Sequence, residues 1–132
     1  MLYAVLCYND ENAVSTWTKE EDDACMARLQ VVTGAMQAKG KLGPVARLKN
    51  TTEARTLRKN GERPLVVDGP FAETKEQFLG FYVVDCETME EVEDFVRQLA
   101  EANPGSGSYE IRPVGFFTPS ALPAKVGDRS AA

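Results

Sequence analysis

Residues 2–8, Leu-Tyr-Ala-Val-Leu-Cys-Tyr, interleave two apolar sets, Leu2/Ala4/Leu6 and Tyr3/Val5/Cys7. Successive side chains of a strand point to opposite faces, so this pattern predicts a strand covered on both sides. Asn9-Asp10-Glu11-Asn12 reads as a polar loop after it. Thr18-Lys19-Glu20-Glu21 is a capping box, in which Thr18 and Glu21 satisfy each other's free backbone donors. The helix it opens carries Cys25, Leu29, Val32 and Met36 at spacings of four, three and four, one buried stripe ending near Gly40. Trp17, just ahead of the box, is expected to staple the helix entry, the alternative being a pocket mouth.

Residues 43–67 read as β structure. Asn60-Gly61 predicts a hairpin with arms near Ala54–Lys59 and Glu62–Val67, because a type I′ turn needs positive φ at both central residues. Residues 78–86, Phe-Leu-Gly-Phe-Tyr-Val-Val-Asp-Cys, predict a strand. A second capping box, Thr88-Met89-Glu90-Glu91, opens a helix with Val92, Phe95, Val96 and Leu99 inward and Glu90, Glu93, Asp94 and Arg97 outward. Asn103-Pro104-Gly105 stops it, and Ser108–Val114 alternates as the last strand. From Thr118 no period remains, so residues 118–132 are expected to form a flexible tail or dimer arm beyond a single domain of residues 1–117.

The order is β-α-β(hairpin)-β-α-β. With right-handed crossovers it predicts an α+β, ferredoxin-like βαββαβ fold with an inserted hairpin and both helices on one face of the sheet. The first strand is apolar on both faces, so the other face needs a cover. A second copy of the chain would supply it, and a homodimer is expected.

Composition narrows the chemistry. The length of 132 residues fits one domain, with 43% hydrophobic and 27% charged residues. Twenty acids against fifteen bases leave a net charge of −5, which argues against nucleic acid as the main partner. No stretch approaches the roughly 20 apolar residues of a membrane span. The apolar N-terminus is short and lacks a basic lead-in, which argues against a secretory signal. Cys7, Cys25 and Cys86 are odd in number and sit in apolar patterns, as free thiols of a cytoplasmic protein would. The chain has no histidine. That removes histidine general bases, Ser-His and Cys-His pairs and the commonest zinc or iron ligand. No cofactor and no metal site is expected.

Asp68-Gly69-Pro70-Phe71-Ala72-Glu73-Thr74-Lys75-Glu76 is the densest chemistry in the chain. As structure, Asp68 would accept a backbone N–H in an Asx-turn, Gly69 would take a conformation closed to other residues, and Phe71 would plug the turn into the core. As a site, Asp68 and Glu73 would be acid-base carboxylates, with Lys75 orienting an anionic or carbonyl substrate and Phe71 beside it. Arg47, Lys49, Arg55, Arg58, Lys59 and Arg63 gather six of the fifteen cations on the hairpin region, against Glu53 and Glu62. They read as guards against edge-to-edge strand pairing, with an anion site or an acidic-protein dock as the alternative. Arg112 on the last strand is either solvated or buried against Asp68, Glu73 or Asp85, and is a candidate ligand contact. Tyr3, Tyr8 and Tyr82 read as strand core, Tyr8 being also a candidate ligand contact.

The run Asp68-Gly69-Pro70-Phe71 with Ala72-Glu73-Thr74-Lys75-Glu76-Gln77 resembles the signature of the DGPF-domain branch of the YCII-related proteins. The Leu2–Tyr8 strand, Gly80-Phe81-Tyr82 with Asp85, and Glu110-Ile111-Arg112-Pro113-Val114 stand in the same order, so the resemblance spans about residues 1–115. It implies a small cytoplasmic protein with the dimeric α/β-barrel form of the ferredoxin-like fold. The family's usual Gly-Gly is here Leu79-Gly80. The His-Asp pair of a related branch has no counterpart without histidine. The branch's association with extracytoplasmic-function sigma factors implies a regulatory or sensing role. The expected function is therefore a homodimeric small-molecule-binding or regulatory domain; the alternatives are an enzyme using Asp68 or Glu73, and a protein-interaction module.

Overall fold

A computed structural model of the chain describes residues 1–59, 61 and 63–119. Nine elements follow in order: β1 Leu2–Asn9, α1 Glu11–Ser15, α2 Lys19–Ala38, β2 Leu42–Arg47, β3 Arg55–Arg58, β4 Leu65–Asp68, β5 Gln77–Asp85, α3 Met89–Ala102 and β6 Ser108–Pro113. The fold is α+β. Four strands form an antiparallel sheet in the order β2-β5-β1-β6, and β3 pairs with β4 in a separate two-stranded sheet.

Register sorts the side chains into two faces, because directly opposed residues of an antiparallel pair share a face. Val45, Tyr82, Val5 and Ile111 form one row across the four strands, and Arg47, Gly80, Cys7 and Tyr109 form the next row on that face. Both long helices cover this face. Val92, Phe95, Leu99 and Ala102 of α3 are buried at helical spacing, and the first three cluster with Tyr3, Val5 and Val84. Val5, Val84, Val92 and Leu99 are wholly inaccessible. Each such side chain contributes about 1.5–3 kcal/mol over its exposed state. α2 sits differently: over twenty residues it buries only Cys25 and Met36, while Leu29 and Val32 are partly covered.

The first capping box is complete, with Glu21 N–H donating to Thr18 Oγ1 at 3.1 Å and Thr18 N–H to Glu21 Oε1 at 3.3 Å. The second is half made. Thr88 Oγ1 accepts from Glu91 N–H at 3.2 Å, but the Glu91 carboxylate turns to Glu87 N–H at 3.1 Å and to the Lys41 ammonium. The charge of Lys41 outcompetes a backbone donor, and it holds the Glu91 carboxyl below its ordinary range.

Two other expectations change. The polar segment after β1 is a short helix, not a loop, because Asp10 caps it by accepting from Asn12 N–H at 2.9 Å. The hairpin keeps its place but not its register. Arg58 faces Leu65, so the connection spans 59–64 rather than the two residues Asn60-Gly61. Pro64 has no N–H to give to a ladder, which keeps pairing from running up to a tight turn. Gly61 does take a positive φ of 63°, while Asn60 lies outside the described residues, as does nearly all of the tail expected from Thr118. Among the described residues no helix is long and apolar enough to cross a membrane.

Gly80 fixes how closely β2 and β5 approach. A Cβ there would stand 2.5 Å from Ala46 O, a backbone atom that cannot swing aside. Gly80→Ala is expected to destabilise the fold by about 1–3 kcal/mol, the usual cost of overpacking. Urea denaturation would show this as a lower midpoint; an unchanged midpoint would mean that β2 yields freely.

Candidate functional site

The second row of the covered face, Arg47, Gly80, Cys7 and Tyr109, is the floor of a cavity of about 240 Å³. α2 roofs it with Asp22, Cys25, Met26 and Leu29, and the turn after α3 closes one end with Asn103 and Gly105–Ser108. Val14 of α1 and Trp17 also line it. The space exists because Gly80 places no side chain on the floor and because α2 buries only Cys25 and Met36 fully, with Leu29 and Val32 partly covered.

Several bonds hold the walls. Arg47 Nη2 lies 3.1 Å from Asp22 Oδ1 and joins β2 to the first turns of α2. Cys25 Sγ donates to Asn103 Oδ1 at 3.4 Å, and Arg28 Nε to Ala102 O at 2.7 Å, which satisfies a carbonyl left free at the end of α3. Burial pushes the Cys7 thiol up to about 12 and the Tyr109 phenol up to about 12, the latter against the Asn103 amide. Burial likewise raises the Tyr82 phenol and the Cys25 thiol. At neutral pH all four groups are uncharged.

The sequence signature lies elsewhere. The Asp68 side chain is 96% exposed, with Arg55 Nε 3.6 Å away, and among the described residues no backbone N–H donates to it. Phe71 is 73% exposed and plugs nothing. Glu73, Lys75 and Arg112 are exposed as well, so the solvated reading of Arg112 holds in the protomer. Of the candidate catalytic and ligand contacts, Asp68, Glu73, Lys75, Arg112, Phe71 and Tyr8, it is Tyr8 that borders the cavity, and its hydroxyl lies 3.3 Å from Glu110 Oε1. The signature instead braces the chain. Gly69, at φ 94°, donates N–H to Ala54 O at 2.7 Å and accepts from Thr56 Oγ1 at 2.8 Å, and Arg58 donates to Phe71 O at 2.8 Å. Glu76 accepts from Ser108 Oγ at 2.7 Å, and Gln77 accepts from Glu11 N–H at 2.9 Å. Its second half thus knits β5 to β6 and α1.

The YCII-related domain family matches residues 1–118. An uncharacterized protein of Rhizobium meliloti (strain 1021) is 56% identical over 124 residues, which cover 94% of this chain and 100% of that relative. The chain belongs to the YCII-related family.

Sequence reasoning about this YCII-related domain missed the cavity and most of its walls. Tyr82 reads as core and Cys7 as a buried thiol, and each is half of the truth. Trp17 carried the available signal. A staple needs an apolar partner at the fourth helical position, and that position is Asp22. Trp17 therefore has nothing to staple against and lines the cavity instead.

Two outcomes are expected. A thiol raised from 9.0 to about 12 has about a thousandfold less thiolate near neutral pH. Iodoacetamide should therefore label Cys7 far more slowly in the folded protein than in urea, and fast native labelling would contradict its burial. The raised value also means that the folded state holds this proton more tightly, so the contribution of Cys7 to stability is flat below about pH 9 and is lost as pH rises toward 12. At the signature, Asp68→Asn should change stability by less than about 0.5 kcal/mol. Gly69→Ala, forced to a positive φ, should cost about 1–2 kcal/mol. Equal effects in thermal melts would refute a bracing role carried by the backbone.

Proposed function

We propose that this YCII-related protein, of the DGPF branch, is a cytoplasmic homodimer that binds a small molecule in the cavity between α2 and the sheet, and that its role is binding or regulation linked to sigma-factor control. The observation that carries the reading is the cavity itself. It is apolar and large enough for a ligand, and it presents neutral hydroxyls rather than a general base. On this reading the sheet order β2-β5-β1-β6, with both helices on one face, is the ferredoxin-like arrangement, and two copies meet sheet to sheet as a dimeric α/β barrel.

Support for the second copy comes from the other face. Ala46, Phe81 and Leu6 form an apolar row there that no helix covers, and Leu57, Leu65, Val66 and Phe71 are more than half exposed on the hairpin and the loop after it. Charge adds to this. Residues 47–63 hold six bases and two acids, +4 in all, so the remainder of the chain carries −9 of the net −5. A basic arm on an acidic body suits contact with a like copy. The enzyme alternative, with Asp68 or Glu73 as acid-base group, requires that partner to bury carboxylates that a protomer leaves in water.

Native mass spectrometry of protein purified from its source is expected to show a dimer that retains a small molecule. Phe81→Lys should convert the dimer to a folded monomer in sedimentation at tens of micromolar, because a buried unpaired ammonium opposes association. A wild-type protein that sediments as a monomer at that concentration would end the dimer proposal.

A further inference from the structure

The cavity selects its ligand by what its walls leave unspent. Among its lining residues only Asp22 and Arg47 are ionised, and they pair with each other at 3.1 Å. Each charge of the wall already has an opposite neighbour, and an ion brought out of water without a partner of its own is strongly disfavoured. The amide and carboxylate groups of the wall are also engaged. Asn103 Oδ1 receives the Cys25 thiol, Asn9 Oδ1 receives Asp10 N–H at 2.8 Å, and Asp22 holds Arg47.

The donors are not. The hydroxyls of Tyr82 and Tyr109 and the indole N–H of Trp17 have no hydrogen-bond acceptor among the described residues. No buried side-chain nitrogen or oxygen there lacks a partner, so these atoms open onto the cavity rather than into packed core. These three spare donors suit an occupant that supplies a lone pair. The volume of about 240 Å³ exceeds the roughly 150 Å³ that accommodates a benzene ring and falls short of the roughly 300 Å³ where drug-sized pockets begin.

We propose that the cavity takes an uncharged carbonyl compound of about single-ring size, its apolar body against Leu29, Val45 and Trp17 and its oxygen accepting from the Tyr82 and Tyr109 phenols. The assignment rests on the cavity being the ligand site, and one experiment separates the two. The full-length protein is titrated with acetophenone, ethylbenzene, benzoate and benzylammonium. Binding is followed by the Trp17 indole resonance, the only one in the chain, and by the amides of residues 105–109.

Acetophenone should bind at least about tenfold more tightly than either ion. Tyr82→Phe and Tyr109→Phe, each checked for native circular dichroism, should weaken acetophenone by about fivefold and leave ethylbenzene unaffected. Binding of benzoate or benzylammonium as tight as acetophenone, or Phe variants that bind acetophenone unchanged, would overturn the ligand class while the cavity stands as a site. If none of the four probes moves these resonances, the cavity reading falls with it.

Discussion

The two long helices rest on the sheet unequally, and the rest of the structure depends on that. α3 places Val92, Phe95 and Leu99 against Val5 and Val84 with almost no residual exposure. That contact sets the helix layer on the sheet and supplies most of the wholly buried apolar surface. α2 is six residues longer yet buries half as many side chains, Cys25 and Met36, eleven residues apart. Its other inward residues, Leu29 and Val32 among them, keep partial exposure. The space beneath it is the cavity, with Gly80 as the gap in its floor. Close packing along one helix therefore makes open space under the other affordable to the fold.

The signature loop performs a different task from the one its charges suggest. Its carboxylates and lysine face water in the protomer, while its backbone and its small polar side chains tie strands together. Gly69 matters through its φ, and Glu76 and Gln77 through single hydrogen bonds to Ser108 and to the N–H of Glu11. These bonds fix the start of β5 beside β6 and α1, and so set the end of the cavity formed by Val14, Ser106 and Ser108. The loop and the cavity are coupled through this scaffold, although no catalytic group passes between them.

Periodicity made most of the elements legible. A strand or helix declares which residues share a face, and β1, β5, α2, α3 and β6 stand where their apolar spacing puts them. Spacing carries no information on how near a face comes to its neighbour. The stripe Cys25, Leu29, Val32, Met36 is correct as a list, yet its middle members are only partly covered. The cavity was invisible for that reason. The hairpin register failed on a narrower point: the Asn-Gly signal is local, and Pro64 overrules it by withholding a donor. The short α1 was missed because five residues give too little period to detect, and Asp10 was its only mark.

The proposed dimer and the cavity use opposite faces of one sheet, and this bears on how they interact. Ala46, Phe81 and Leu6 face away from the helices, while Arg47, Gly80 and Cys7 alternate with them toward the cavity. Neighbouring residues of the same three strands thus serve both faces. A copy packed on Phe81 and Leu6 would leave the mouth under α2 open, so association need not compete with ligand entry. It would also restrain the β2–β5 separation that Gly80 permits, and with it the width of the cavity floor. Pairing of protomers and occupancy of the cavity would then be linked through strand spacing alone, with no moving segment between them.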